Sequence, residues 1–530
     1  MLAQDEKTQP RYVLAIDLGS GGPKVGLVDR EGQIKASAST NLPVYLLPNG
    51  GAEQDPAEWW SAIVAAIKKV IHESGVQRES IVAIACTSQF SVIVAVDENG
   101  EALMNAVHWI DTRGGPYNRD MLKGFPSIQG YGLNKLVVWM QRAGMAPTTS
   151  GVDSLGHILF IKNERPEVYR KTYKFLEPMD YLNMRLTGRC AATLNTVILY
   201  VLTNNRKLDS MDYDPTLLRI AGIDKAKLPE ILPIDGIVGA ITPSIADELG
   251  LSPNTVVITG VNDNSTSAVG SGAVADFDLV AVMGTSGYLA CHLPFQKTDL
   301  TSYITTIPSG IPGRYLIFAE LGNNGKVLDS YLHNFVYYKD EFYQLDAAPD
   351  IYERLDRIAE QTPPGSEGVL FLPWFKGTFA PSEDQYLRGG FLNLSHRTTR
   401  AHLTRAVLEG IALNWKWVLK PAEKFTGRKF DHWRLGGGGA LSDTWAQIMA
   451  DVVGIPMHQL ANPRLGNVLG IAFLAFNRLG LLSLEEIPGK VKIAKIYQPR
   501  EEYRQIYDRL YRQFLASLRN LKPIFHALNK

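Results

Sequence analysis

A strand, a glycine-rich turn and a second strand are predicted at the start of the chain. Residues 12–18 are apolar and rich in β-branched side chains, 19–23 carry three glycines, and 24–29 form a second apolar stretch. A similar order recurs at 279–293, where two apolar stretches flank a turn of small polar residues and glycine. The recurrence indicates that the two halves of the chain share one design.

Helical and strand patterns alternate through the rest of the chain. Asp55 and Pro56 are residue types that begin helices, apolar side chains then recur at helical spacing, and Gly75 ends the pattern. The same reasoning predicts strands at 81–88 and 91–97 and helices at 400–419, 442–453 and 500–522, the last docked on the core. This alternation predicts an α/β fold.

Length and charge limit the organisation and the partners of the chain. Its 530 residues exceed what one hydrophobic core usually serves, so we predict two domains, 1–256 and 257–530, divided before an apolar stretch. The 54 basic residues equal the 54 acidic ones, and no basic block occurs. This balance argues against binding to nucleic acid or to a membrane surface.

Cysteine content and hydropathy bear on the compartment. The three cysteines (Cys86, Cys190 and Cys291) are scattered, which predicts neither a disulfide framework nor a zinc site. The first ten residues are polar, and no apolar run reaches the ~18 residues that cross a bilayer. We expect a cytoplasmic protein with small-molecule partners; the oligomeric state stays open, a homodimer included.

The two glycine turns have the composition of phosphate-binding loops. Asp17 ends the first strand and precedes Gly19 and Gly21, so a carboxylate for hydrated Mg²⁺ would stand beside backbone amides that a polyphosphate can approach. The turn at 284–287 has the same composition. Each turn alone could also be an ordinary strand connection, but two such turns in one chain favour a nucleotide site.

Two later segments are candidates for binding and chemistry. In 435–447, four consecutive glycines precede a helix, which suits a backbone lying against a nucleotide, although a flexible loop has the same composition. Asp263 follows an apolar strand, where it could accept a hydroxyl proton or could cap a helix. Trp109, Asp111 and Arg113 could form either a polyol-binding edge or a surface ion pair.

No P-loop, HExxH pair or protein-kinase lysine and HRD loop is present. The chain instead resembles the FGGY carbohydrate kinase family, and within it the xylulokinases, over nearly its whole length. The stretches that carry the resemblance are IDLGSGGPKVGLVD (16–29), GAEQDPAEWW (51–60), TSQFSVIVAVDENG (87–100), HWIDTR (108–113), FLEPMDYLNMRLTG (175–188), GVNDNSTSAVGSGA (260–273), MGTSGYL (283–289), GVLFLPWFKGTFAP (368–381), RAHLTRAVLEGIAL (400–413) and GGGGALSDTWAQIMADVVGIP (437–456).

The resemblance implies two RNase H-like (actin-like ATPase) domains with an interdomain active-site cleft, and ATP with Mg²⁺ as co-substrate and cofactor. It assigns the catalytic base to Asp263 and the Mg²⁺-associated carboxylate, through water, to Asp17. The implied sugar-binding residues are Gln89, Phe90, Ser91, Trp109, Asp111 and Asp263. The implied nucleotide-binding residues are Gly19, Ser20, Gly21, Gly284, Thr285, Ser286, Gly325, Gly438, Gly439 and Asp443.

The chain departs from the family pattern around the sugar. Phe90 and Ser91 stand where xylulokinases typically carry Met and His, and Leu465 stands where a glutamate is usual. We therefore expect a kinase of a ketopentose such as D-xylulose, with ribulose, glycerol, erythritol or a deoxy-sugar as alternative acceptors. A nucleotide sensor without catalysis, or an ATP-driven machine like actin, is the alternative of another class.

Overall fold

The computed structural model describes residues 11–341, 344 and 346–529. Strands and helices alternate in both halves of the chain. In the first half the strands are β1 (Tyr12–Gly19), β2 (Gly22–Asp29), β3 (Ile34–Ser39), β4 (Tyr45–Leu47), β5 (Gly51–Gln54), β6 (Ile81–Ser88), β7 (Val94–Val96), β8 (Ala106–Val107), β9 (Ser127–Ile128), β10 (Tyr131–Gly132), β11 (Lys174–Leu176), β12 (Ala191–Ala192), β13 (Glu230–Ile231), β14 (Ile237–Ala240), β15 (Val256–Ile258) and β16 (Val261–Asn262). The helices there are α1 (Pro56–Ser74), α2 (Gly115–Leu122), α3 (Leu133–Arg142), α4 (Ser154–Glu164), α5 (Pro166–Lys171), α6 (Pro178–Thr187), α7 (Pro215–Ala221), α8 (Pro243–Leu249) and α9 (Asp263–Gly270).

The second half follows with its own strands and helices. Its strands are β17 (Leu279–Met283), β18 (Gly287–Leu293), β19 (Thr298–Asp299), β20 (Ile304–Pro308), β21 (Tyr315–Glu320), β22 (Leu370–Leu372), β23 (Gly390–Leu392), β24 (Trp433–Gly436), β25 (Met457–Leu460) and β26 (Ile493–Tyr497). Its helices are α10 (Gly325–Tyr331), α11 (Ile351–Gln361), α12 (Arg400–Thr426), α13 (Asp443–Val453), α14 (Gly466–Arg478), α15 (Ile487–Lys490) and α16 (Arg504–Asn529).

Each half is organised around one large mixed sheet with the same central topology. In the first sheet β3, β2 and β1 are antiparallel neighbours, and β6 and β15 continue the sheet in parallel with β1. In the second sheet β21, β18 and β17 are antiparallel neighbours, and β24 and β25 continue in parallel. The predicted α/β class and the predicted internal repeat are therefore confirmed.

Several helices and strands begin or end at the residues that the sequence predicted. Asp55 accepts a hydrogen bond from the Ala57 amide (2.8 Å) at the start of α1, and Gly75 ends that helix in the left-handed region. The strand predicted at 91–97 is shorter in the structure and begins at Val94, because Ser91 has a positive φ of 62° and the chain leaves the extended conformation there. The helix predicted at 400–419 continues to Thr426.

Sheet membership changes after β16. Both β15 and β16 pair in parallel with β6, so residues 256–262 belong to the first sheet, and the second sheet begins with Leu279. The boundary predicted at residue 256 falls within β15, and the division into domains 1–256 and 257–530 stays a prediction.

The C-terminal helix is docked, as predicted. Tyr507, Leu510 and Phe514 of α16 are buried in the core of the second half. The Tyr507 hydroxyl donates to Glu409 (2.8 Å) and accepts from Arg405 (3.0 Å), so its polar end is bonded where it is buried. Within the described residues, no helix is long and apolar enough to cross a membrane.

Helices α9 and α14 cross at very short distance beneath the first sheet. A Cβ added to Gly470 would lie 1.9 Å from the Thr266 carbonyl oxygen, and one added to Gly270 would lie 1.8 Å from that of Gly466. Buried side chains of α14 such as Ile471 pack against the first sheet, although α14 comes late in the chain. The crossing therefore joins the two halves and fixes where α9 begins.

We expect Gly470→Ala to lower the free energy of unfolding by about 3 kcal/mol, since its methyl group would meet backbone that cannot turn away. Gly466→Ala, four positions earlier in α14, is the matched control because its added Cβ meets nothing within 4 Å. Thermal melts of both variants measure the effect; equal melting temperatures would contradict the tight crossing.

Candidate functional site

Two aspartates and one lysine form the centre of the cleft between the halves. Asp17 lies near the end of β1 with 1% of its surface exposed, and Lys24 stands directly opposite on β2. The Lys24 Nζ donates to Asp17 Oδ2 at 3.0 Å. Asp263 is the first residue of α9, next to the capping residue Asn262. The α9 crossing thus brings the predicted base to the predicted Mg²⁺-associated carboxylate.

The electrostatics of this centre favour a bound cation or proton. Burial, followed by the negative charge of Asp17, raises the pKa of Asp263 to about 8. The charge of Asp17 is the largest cause that raises the pKa of Lys24. In the part of the chain that is described, Asp17 Oδ1 and Asp263 Oδ1 are buried without a hydrogen-bond partner. Each therefore has an acceptor available for a ligand.

These free oxygens fit Mg²⁺, which prefers oxygen ligands and commonly takes one or two carboxylates together with water and phosphate. Among the described residues, no group of three or more His, Cys, Asp or Glu is arranged to hold a metal ion. A site of one or two carboxylates is therefore the arrangement that Asp17 and Asp263 can supply.

A closed hydrogen-bond network holds the predicted sugar-binding edge. The Trp109 indole donates to Ser20 Oγ (2.9 Å), and Ser20 Oγ donates to Gln89 Oε1 (2.6 Å). Gln89 donates to Gln54 Oε1 (2.8 Å), and Gln54 donates back to the Ser20 carbonyl (3.0 Å). Ser20, which was predicted to bind the nucleotide, is thus bonded to residues of the predicted sugar-binding edge. The network also includes Gln54, which the sequence analysis did not identify.

The remaining sugar-edge residues have different surroundings. Asp111 is fully buried, and its carboxylate accepts from the Ala52 amide (2.8 Å) and from Arg113 (2.6 Å), so it positions the loop from inside. The Ser91 hydroxyl donates to the Val152 carbonyl (2.6 Å). Phe90 remains half-buried beside the cleft, so the Phe90-Ser91 pair presents an aromatic face in place of a free polar group.

The turn with Gly19, Ser20 and Gly21 connects β1 and β2 in the first half, whereas the other predicted nucleotide-binding residues lie together in the second half. The Gly284 carbonyl accepts from the Gly325 amide (3.0 Å) and from Asn324 Nδ2 (2.8 Å), which anchors the turn with Thr285 and Ser286 on the start of α10. A Cβ added to Gly325 would lie 2.6 Å from the Gly284 carbonyl oxygen, so only glycine fits.

The glycine run lies against the same turn. Gly437 has a φ of 81°, and a Cβ added to it would lie 2.7 Å from the Met283 backbone. A Cβ added to Gly439 would lie 2.8 Å from the Trp445 ring and 3.1 Å from Met283, whereas Gly438 is exposed. Asp443 begins α13 just beyond the run and is exposed, with Lys495 Nζ 3.2 Å from its carboxylate. Gly284, Gly325 and the glycine run are therefore neighbours, as a shared nucleotide site requires.

Sequence reasoning missed three groups at the cleft: Lys24, Gln54 and Glu320. The position of Lys24 could have been found, because a tight hairpin places it opposite Asp17. Glu320 ends β21, and nothing in its own neighbourhood of the sequence points to the cleft.

Comparison with known proteins identifies the family. The model of the FGGY family of carbohydrate kinases matches with its N-terminal domain over residues 12–270 and with its C-terminal domain over 279–478. The chain belongs to the FGGY family of carbohydrate kinases. The kinase is therefore a phosphotransferase with an alcohol group as acceptor, as the resemblance implied, and its family uses ATP as co-substrate.

The relatives of this kinase carry different substrate names. It is 28% identical to a xylulose kinase of Staphylococcus epidermidis over 516 residues, which cover 97% of each chain. It is 27% identical to a gluconokinase of Bacillus subtilis over 452 residues, covering 83% of this chain and 82% of the relative. The crystal structure of gluconate kinase from Lactobacillus acidophilus superposes with a TM-score of 0.84 at 24% identity, covering 98% and 100% of the two chains. The predicted two-domain fold is confirmed, and the acceptor is not settled by these names.

The raised pKa of Asp263 predicts that the free energy of unfolding of this kinase depends on pH. Between its ordinary value of 3.8 and about 8, the folded chain holds a proton that the unfolded chain has released, so stability falls as the pH rises through this window. The asparagine of Asp263→Asn cannot titrate, so this variant does not lose stability in the same way as the pH rises. We expect the melting temperature of the ligand-free variant to exceed that of the wild type by an amount that grows from pH 5 to pH 8.

Asp247→Asn provides the control, since Asp247 is exposed on α8. A melting-temperature difference between Asp263→Asn and the wild type that stays constant with pH, as we expect for the control, would show that Asp263 is ionised throughout.

Proposed function

We propose that this kinase transfers the γ-phosphate of ATP to a hydroxyl of a small sugar, with a ketopentose such as D-xylulose as the first candidate. The observation that carries the proposal is the place of Asp263. It follows Asn262, which pairs with Ser88 next to Gln89 of the hydrogen-bond network, and its charge interacts with Asp17 of the first half and with Tyr288 of the second. An acceptor held at Trp109 and Gln89 and a polyphosphate held at the glycine turns would approach this carboxylate from the two halves.

Asp263 is suited to accept the proton of the attacking hydroxyl. Its buried Oδ1 has no partner in the described residues, and it stands at the N-terminus of α9. A base with a pKa near the working pH combines the correct protonation state with useful proton affinity. Lys24 would keep Asp17 in place by its 3.0 Å ion pair while the acceptor and the nucleotide approach.

The glycine turns are suited to bind the nucleotide. Without side chains at Gly438 and Gly439, backbone amides of this run and of the Thr285 turn can approach phosphate oxygens directly. Mg²⁺, when bound, supplies charge neutralisation to the phosphates in reactions of this type. Asp17 would hold it, through water or directly, with its free Oδ1.

The wall formed by Phe90 and Ser91 differs from the family pattern in its hydrogen-bonding groups. Phe90 offers a ring face and the Ser91 hydroxyl is bonded to Val152, so this wall holds fewer free hydrogen-bonding groups than a Met-His pair. Ribulose, glycerol, erythritol and a deoxy-sugar are therefore alternatives. A nucleotide sensor without catalysis is a weaker alternative, because it would not need the network around Trp109. A cytoplasmic location and assembly as a homodimer stay predictions.

An assay of ADP release with Mg²⁺ and ATP, run against a panel of ketoses, polyols and sugar acids, tests the proposal. We expect one neutral acceptor, with D-xylulose first, to raise the rate at least about a hundredfold over ATP alone, as positioning of an acceptor in a closed site does. Acceptor-independent ATP binding without turnover of any member would favour the sensor.

We expect Asp263→Asn to lower kcat by about 10²–10⁴-fold, the usual contribution of a general base, and to leave the affinity for ATP nearly unchanged. Steady-state kinetics with the best acceptor, and calorimetric titration with ATP, separate the two effects. Asp247→Asn is again the control. A variant that keeps wild-type kcat would remove Asp263 from the chemistry.

A further inference from the structure

A third carboxylate, Glu320, faces the cleft from the second half. It is the last residue of β21 and stands opposite Tyr288 of β18 in the antiparallel register, so the two side chains lie on the same side of the sheet. The Tyr288 hydroxyl donates to Ser267 Oγ (3.1 Å) on α9, the helix that Asp263 begins. This side of β18 and β21 therefore faces α9.

The same side of β21 reaches the sugar-binding edge. Phe318 precedes Glu320 by two positions and points to the same face, and its ring meets the edge of the Phe90 ring with centroids 6.1 Å apart. Phe90 belongs to the first half and follows Gln89 of the hydrogen-bond network. Glu320 thus stands on the sheet face that contacts both the acceptor edge and the helix of the base.

The Glu320 carboxylate is available to a ligand. Burial alone raises its pKa to about 7, and in the described part of the chain no donor to it is found. Its charge acts on Asp263, together with the charges of Asp17 and Lys24. Asp17, 1% exposed, also keeps a buried oxygen without a partner there.

The charges of this cleft favour a neutral acceptor. The charges of Asp17 and Glu320 both act on Asp263, and the ammonium group of Lys24 is bonded to Asp17. The hydroxyl of a sugar can donate to an unpartnered carboxylate, which makes a strong charge-assisted hydrogen bond. The carboxylate of a sugar acid would instead meet charge of its own sign in a poorly solvated site.

We propose that Glu320 determines the acceptor class of this kinase: it binds a hydroxyl of a neutral ketose or polyol and disfavours sugar acids. The proposal rests on the proposed function and adds to it. It separates this chain from relatives named for gluconate, although such a relative is among its close structural matches.

The test compares neutral acceptors with sugar acids at pH 8, where the Glu320 carboxyl is largely ionised. Purified full-length wild type, Glu320→Gln and Glu320→Ala are assayed with Mg²⁺ and ATP against D-xylulose, ribulose, glycerol and erythritol, and against D-gluconate and D-xylonate. Glu320→Gln keeps the shape and removes the charge, whereas Glu320→Ala removes both. Glu502→Gln, an exposed position before α16, is the matched control.

For the wild type we expect kcat/KM for the best neutral acceptor to exceed that for either sugar acid at least about a hundredfold. Glu320→Gln should raise the KM for the neutral acceptor about tenfold with kcat nearly unchanged. The ratio of kcat/KM for the neutral acceptor to kcat/KM for a sugar acid should therefore fall about tenfold. Glu320→Ala should raise that KM further. Glu502→Gln should behave as the wild type, and melting temperatures establish that every variant is folded.

Two results would overturn the role of Glu320: a wild type that prefers a sugar acid, or a Glu320→Gln variant with unchanged KM and unchanged discrimination. The proposed function fails separately, if no acceptor is turned over. In that case acceptor binding is followed by tryptophan fluorescence, because Trp109 lies at the sugar-binding edge. Weaker binding of neutral acceptors to Glu320→Gln than to the wild type would still support the proposal, and equal or absent binding would reject it.

Discussion

The close crossing of α9 and α14 is the constraint on which the rest of this kinase depends. It is possible only because glycines at 270 and 470 let backbone meet backbone. Through it, a helix from late in the chain packs against the first sheet, and side chains of both halves form one buried cluster beside the separate core of each half. Since Asp263 begins α9, the same contact sets the distance between the predicted base and the end of β1.

Burial of like charges follows from that arrangement and has a cost. Asp17 is compensated by Lys24 across a hairpin, whereas Asp263 forms no ion pair with any residue that the structure describes, and its pKa is raised to about 8. Ionised Asp263 is therefore unfavourable in the ligand-free fold, because it is buried next to the charge of Asp17. A bound cation, or a hydroxyl that donates a hydrogen bond, can offset this cost. This is typical of functional sites, where perturbed carboxylates gather.

The two sides of the cleft are built by different means. On the proposed sugar side, side chains bond to each other in a closed network of Ser20, Gln54, Gln89 and Trp109, so polar groups are held in fixed directions. On the proposed nucleotide side, the absence of side chains lets backbone turns meet at Gly284. Fixed polar side chains suit selection among similar acceptors. Backbone turns suit the binding of the ATP phosphates, which all reactions of the family share.

The sequence by itself determined the α/β class, the internal repeat, most ends of the long elements and the family. These depend on local signals: apolar periodicity, helix caps such as Asp55 and turns that need glycine. Only the tertiary structure decided that Asp111 accepts hydrogen bonds inside its own loop, that Ser20 bonds to Gln89, and that the charge of Glu320 acts on Asp263. Those facts depend on which surfaces two distant segments present to each other, and packing between separate elements leaves no local period in the chain.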